Sequence, residues 1–482
     1  MLLKPGERPS FGASWAWKRL IRFGVAFLLV VAFTLFLWPP FPPSHIKAQT
    51  PSANISIASD IHCDLDLDVL ERLQVTQLGS YLRREVSATT LAADQEVPMT
   101  QRINTPLMDR SLLPSNSRAQ QQSPDDCLIP HPLTVQVPTP PRNVDASHID
   151  FGVATKLGRL NESLDQFAHW AGYTRTRIFA LIEPDKRVAE IQAKADRLGV
   201  NLYITQSEEE YQRRYFSLVS HLAANVRDQT RWSVVIDDDT FFLSMPRLVQ
   251  ALSQYDHTKQ TYVGGISESI PQVGAFGIMA FGGAGVFLSR PLVQEMSKPD
   301  IFEACQNMEF TGDRRISLCI YQYTSARLSI DHRLRQLDLM GDVTGFFETG
   351  REPPLSVHHW KSWFHADMPK VSAISELCGD SCMLRQWAFS DGWVLTNGFS
   401  AVKYSTEVDP LDKTMELTWE SHNGAVHESY LHELGPLRPK DWNKVSFLLG
   451  DAIVEDDKVR QFYIHREGPN GDEILELVWR NA

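Results

Sequence analysis

At 482 residues, with 43% hydrophobic and 22% charged side chains, the chain is long enough for two or three domains and too apolar to be disordered throughout. Its 59 acidic against 47 basic residues leave a net charge of −12, and no Lys/Arg block marks the main body, which argues against nucleic acid as a partner. Six cysteines are too few for a disulfide scaffold, but the even number allows full pairing in an oxidising compartment.

The first predicted element is apolar. Phe23 to Trp38, FGVAFLLVVAFTLFLW, carries no charge and lies between Arg22 and Pro39. As a helix rising 1.5 Å per residue it spans about 24 Å, close to the thinner bilayers of the early secretory pathway. Lys4, Arg8, Lys18, Arg19 and Arg22 precede it and only Lys47 follows closely, so the positive-inside rule puts the N-terminus in the cytosol and the rest in the lumen. A cleaved signal peptide is the competing reading. The run is long for one, and PPFPPSHIKAQT offers no small-x-small cleavage site, which favours an uncleaved anchor. The expected division is a cytosolic tail over 1–22, a transmembrane signal anchor over 23–41 and a stem over 42–147. The stem is polar and rich in Pro, Ser, Gln and Thr, with one short helical patch from Val69 to Val86.

From Ile149 the texture changes, and strand-like runs at 149–155, 178–182, 202–205 and 232–236 alternate with helical spacing. Leu160, Leu164, Phe167 and Ala171 mark the first helix, Val188, Ile191 and Ala195 the second, and Tyr211, Tyr215, Leu218 and Leu222 the third. This alternation predicts an α/β domain over 148–370 with a parallel, Rossmann-like sheet that binds ligands beyond the carboxyl ends of its strands. Short alternating stretches over 371–482 predict a C-terminal, mainly β accessory region.

The strongest chemical signal is WSVVIDDDTFF, residues 232–242, where an apolar strand delivers three aspartates to its end. Along an extended chain Asp237 and Asp239 face one side and Asp238 the other. Two carboxylates at about 4 Å repel by about 4 kcal/mol at an effective dielectric near 20, so the arrangement persists most readily around a divalent cation. Oxygen ligands suit Mg²⁺ or Mn²⁺, which can in turn hold a diphosphate that an acidic protein would reject. An acidic turn is the plain alternative. A phosphatase D-x-D-x-[TV] pattern is disfavoured by Phe241 at its fifth position and by the strand's place as fourth in the sheet.

VVIDDDTFF, then Phe281-Gly-Gly-Ala-Gly-Val-Phe-Leu-Ser-Arg290, then Gly312-Asp313 resemble the Fringe-type β1,3-glycosyltransferases, as does the opening stretch FGVATKLGRLNESLDQFAHW. The resemblance covers about residues 148–370, while the tail and HHWKSW look closer to a divergent fungal and plant branch. It implies a GT-A nucleotide-sugar-binding fold on a type II Golgi or ER membrane anchor. It also implies inverting, metal-dependent transfer from a UDP-sugar to a glycan or glycoprotein acceptor, with a β1,3 linkage as the product. By the same resemblance Asp239 coordinates Mn²⁺ (or Mg²⁺), alternation puts Asp237 on the metal side with it, and His358 is the third ligand, with His359 and His365 nearby. Asp237, Asp238 and Thr155 contact the nucleotide, and Gly283 and Gly285 let backbone approach the sugar. Asp313 is the general base, with Glu309 as the alternative; many relatives carry two acids where this chain has Gly312-Asp313.

For His358, aromatic packing beside Trp360 and Trp363 is the competing role. The cysteines fall into local pairs, Cys305 with Cys319 around Asp313 and Cys378 with Cys382, leaving Cys63 and Cys127. A bridge closing a loop of about 15 residues is worth about 3 kcal/mol in the chain-entropy picture. Two rival functions remain at this level: a lumenal carbohydrate-binding protein that has lost turnover, and a metal-dependent phosphohydrolase.

Overall fold

The computed structural model describes residues 55–59, 61–92, 95–109, 127–140, 144–310, 312–409, 411–420 and 432–482. The expected cytosolic tail and membrane anchor lie outside these residues. Among the described residues no helix is long and apolar enough to cross a membrane.

Ile149–Thr155 and Trp232–Ile236 are buried at every position, as a strand covered on both faces must be. They pair in parallel, with Val153 opposite Ile236. Arg177–Ile182 and Asn201–Gln206 extend the sheet in parallel on the other side of Ile149–Thr155. Beyond Trp232–Ile236 come Val286–Ser289, which runs antiparallel, then Tyr262–Gly264 and Leu328–Ile330. The sheet thus reads third, second, first, fourth, and chain order reverses between the first and fourth strands, the point at whose carboxyl ends sheets of this kind bind ligands. Alternating side chains feed two cores. Val234 and Ile236 pack with Leu160, Leu164 and Phe167 of helix Leu157–Ala171. Val235 packs with Tyr215, Leu218 and Leu222 of helix Tyr211–Ala224 and with Ile316 and Ile320 of helix Gly312–Tyr323.

The stem reading is corrected. Residues 42–147 supply four strands, Ser56–Ile57, Gln77–Thr90, Thr100–Ile103 and Leu133–Val137, to a ten-stranded sheet completed by strands between Gln386 and Asn481. The helical patch is only Leu67–Arg72, capped by the Asp66 carboxylate, and Gln77–Thr90 is a long strand. Its Leu78, Ser80, Leu82, Arg84, Val86 and Ala88 are buried at period two. Gln77–Thr90 lies parallel to Gly471–Asn481, with Arg84 opposite Leu477. The β region beyond 371 is therefore built jointly with residues that precede the α/β region. One core joins Leu82, Val86 and Leu133 to Trp387 and Trp479, and also to Phe241, Val357 and Trp360 beside the aspartates. Both expected cysteine pairs are bonded, Cys305–Cys319 and Cys378–Cys382, and the two cysteines left over form Cys63–Cys127.

Candidate active site

The aspartate triplet leaves the strand at once. The Thr240 N–H donates to the Asp237 carbonyl at 3.2 Å, and the Asp237 N–H donates to the Thr240 hydroxyl at 3.1 Å. The expected extended pleat is a tight turn, yet the side chains divide as alternation would divide them.

Asp238 points into the protein. Arg159 grips its carboxylate with Nε at 2.7 Å and with Nη2, and the Thr155 hydroxyl donates to the same group. Its carbonyl accepts from Ser163 and Gln166, each at 2.5 Å. Thr155 and Asp238, expected on the nucleotide, are thus bonded to each other and fix the turn to the start of helix Leu157–Ala171. Arg159 was missed by sequence reasoning, although its place one turn after Thr155 was a usable signal.

Asp237 and Asp239 share one imidazole. His358 Nε2 lies 2.9 Å from Asp239 Oδ1 and 3.4 Å from Asp237 Oδ2. It arrives there because Ser356–Val357 pairs antiparallel with Phe241–Phe242, Val357 opposite Phe241, so the next residue falls against the turn. Trp360 closes the back, its indole N–H donating to the Asp239 carbonyl at 2.7 Å. His359, at φ 59°, stacks on Trp363 with centroids 3.9 Å apart, and its Nε2 lies 3.1 Å from Asp338 Oδ1. The packing cluster is therefore His359's, and His358 is turned to the acids. His365 is exposed.

The charges are tightly coupled. Burial pushes Asp237 up to about 7; His358 opposes this, and the carboxylates of Asp239 and Asp313 add to it. Burial works in the same direction on Asp239, but the charge and hydrogen bond of His358 hold it well below the usual carboxylate range. Burial alone would depress His358, yet Asp239 and Asp237 carry it up to about 9. His359 is lowered, by burial first and then by the charge of His358.

Gly283 and Gly285 have internal reasons to be glycine. A Cβ on Gly283 would lie 2.1 Å from His358 Nδ1, so the ring rests flat on that backbone. Gly285 has φ +98°, a conformation that disfavours any side chain. Asp313 sits in the first turn of helix Gly312–Tyr323, with Oδ2 accepting from the Gly282 N–H at 3.3 Å and Oδ1 from the Arg314 N–H at 2.7 Å. It thereby faces the same loop that flanks Asp237. Glu309 is exposed.

Residues 169–363 match the family model described as Fringe-like, a span that holds Asp237, Asp239, Gly283, Asp313 and His358. That stretch of the chain is Fringe-like. No curated protein matches the chain. Among solved structures, the apo glycosyltransferase GlyE of Streptococcus pneumoniae aligns at 13% identity with a TM-score of 0.31, over 48% of this chain and 61% of that one. The galactosyltransferase LgtC, solved with donor and acceptor sugar analogues, aligns at 13% identity and TM-score 0.30 over 43% of this chain and 86% of its own. Mouse xyloside xylosyltransferase 1 gives 8% identity and TM-score 0.30 over 44% and 96%. Scores this low add nothing to the family match.

The Fringe-like domain has a donor set that fits a divalent cation. Asp239, His358 and His359 bring one ligand atom each within 4.8 Å of one another, with Asp237 against the same His358 nitrogen. Carboxylate oxygen with imidazole nitrogen is a donor set that divalent first-row metal ions accept. Asp237 and Asp239 thus face each other across His358 Nε2, an arrangement that a cation would stabilise.

Proposed function

We propose that the protein is an inverting, metal-dependent glycosyltransferase of the GT-A type that moves a sugar from a UDP-sugar to a glycan or glycoprotein acceptor, forming a β1,3 linkage. The observation that carries this reading is the convergence of Asp237 and Asp239 on His358 at the end of the central strand, with Asp313 across the Gly282 loop. Asp237, Asp239 and His358 are the residues to hold Mn²⁺, which when bound would stabilise negative charge on the departing diphosphate. Asp313 takes the proton from the acceptor hydroxyl as that oxygen attacks the anomeric carbon. The bond from that carbon to the diphosphate oxygen breaks, UDP leaves and the configuration inverts. A positioned base of this kind contributes about 10²–10⁴-fold.

Asp313→Asn is expected to lower kcat at least about a hundredfold while thermal stabilisation by UDP with Mn²⁺ persists. Asp239→Ala is expected to abolish both turnover and that stabilisation while the protein stays folded. Assayed across a panel of UDP-sugars, an active Asp239→Ala variant would remove the metal assignment, and an unimpaired Asp313→Asn variant the base.

We place this domain in the Golgi or ER lumen, behind a type II signal anchor over 23–41. Three disulfides that use all six cysteines support an oxidising compartment. A tag fused after residue 482 should resist protease in sealed microsomes and be cut once detergent is added; cutting in sealed vesicles reverses the topology.

A further inference from the structure

Tyr215 lies on helix Tyr211–Ala224, is 4% exposed, and is not among the metal-side, nucleotide or base residues named above. Its surroundings are two glycines. A Cβ on Gly312 would come within 2.1 Å of its Cδ1, and one on Gly282 within 2.0 Å of its hydroxyl oxygen. Real Cβ contacts do not approach so closely, so the phenol ring fills the space both glycines leave open.

Those glycines bracket the candidate base. Gly312 precedes Asp313 in the chain, and the Gly282 N–H donates to Asp313 Oδ2 at 3.3 Å. The Gly282 Cβ position is also 3.0 Å from Asp237 Oδ1, so the phenol end borders the metal-side carboxylate as well. The same helix ties down the base-bearing segment by direct bonds. Gln212 Oε1 accepts from the Gly312 N–H at 2.6 Å, and the Gln212 carbonyl accepts from Arg315 at 3.2 Å. Burial first, then the charges of Asp237 and Asp313, raise the Tyr215 phenol well above its ordinary value, so it stays neutral.

We infer that Tyr215 is a positioning residue, a wedge between Gly282 and Gly312 that sets the distance between the metal-side Asp237 and the base Asp313. A single aromatic ring then couples the donor half of the site to the acceptor half. It also accounts for Gly312: a side chain there would occupy the space of the ring. The consequence for turnover rests on the transferase reading above; the wedge itself does not.

The test compares full-length wild type with Tyr215→Phe, Tyr215→Ala and Gly312→Ala. It measures amide hydrogen exchange over residues 312–316, the Kd for UDP with Mn²⁺, and kcat for transfer. Tyr215→Phe keeps the ring and should hold exchange and kcat within threefold of wild type. Tyr215→Ala should speed exchange at least tenfold and lower kcat at least thirtyfold, with the Kd moving less than threefold. Gly312→Ala pushes on the same ring from the other side and should give the same split, which keeps the test open if Tyr215→Ala does not fold. Unchanged exchange and kcat in these variants, or a Kd that weakens in step with kcat, overturns the wedge. A wild type that binds no UDP with Mn²⁺ overturns the transferase reading instead, and the exchange rates still decide Tyr215.

Discussion

Between Gly283 and the His358 ring there is no room even for a methyl group, because a Cβ would stand 2.1 Å from the imidazole. The glycine run was visible in the sequence, but its packing partner lies 75 residues away and reaches it only through strand pairing. A similar limit hid Glu268, which is 1% exposed beside the site. Its Oε2 accepts from the Leu337 N–H at 2.8 Å, while Arg335 stands 3.8 Å from Oε1. Burial lifts this carboxyl from 4.5 to about 7; Arg335 opposes the rise and Asp338 adds to it. A group raised in the folded state stabilises fully below its unfolded value and loses that contribution as pH climbs through the folded one. Glu268→Gln does not titrate, so its stability relative to wild type should improve between pH 5 and pH 8 by up to about 3 kcal/mol. Urea midpoints for the two proteins across that range check it. A constant difference would mean that the carboxylate is ionised throughout.

Helix Leu157–Ala171 shows how an element serves a site without entering it. Its first three turns supply Arg159, Ser163 and Gln166, and all three bond Asp238. The middle aspartate is thereby spent on holding the turn, which frees Asp237 and Asp239 to face His358. The period of helix and strand was legible from Leu160, Leu164 and Phe167, as was the end of the strand at Ile236. The division of labour among the aspartates followed from alternation, although the cause is a turn locked by Arg159. Arg159→Ala leaves a carboxylate that is 8% exposed with Thr155 as its one side-chain hydrogen-bond partner among the described residues. The arginine itself is 60% exposed, so solvent screening holds the expected loss to about 1 kcal/mol. Mn²⁺-dependent UDP binding should weaken more than stability falls, because the released turn carries both metal-side acids. Parallel melting curves and UDP titrations separate the two effects. A loss confined to stability would show that Asp238 does not position its neighbours.

At the scale of the molecule, the α/β half could be read in chain order and the β half could not. Helices and parallel strands joined by short crossovers leave local periodicity. Gln77–Thr90, by contrast, finds its neighbour in Gly471–Asn481, nearly 400 residues on, and its alternation is blurred by Ser80 and Arg84 on the buried side. That sheet is continuous with the site through its core, because Trp387 and Trp479 pack in one cluster with Phe241, Val357 and Trp360. The Phe241–Phe242 and Ser356–Val357 pair that carries His358 to the aspartates is therefore supported from behind by residues beyond 371 and before 148. Fragment 148–370, which holds every proposed catalytic and metal-binding residue, should lack a cooperative unfolding transition and should not bind UDP with Mn²⁺. Fragment 55–482 should unfold in one sharp step and bind. Denaturant melts of the two fragments decide the matter. Cooperative melting of the shorter piece with UDP binding intact would mean that the β half is a separable appendage, and that His358 is held by its two-stranded ribbon alone.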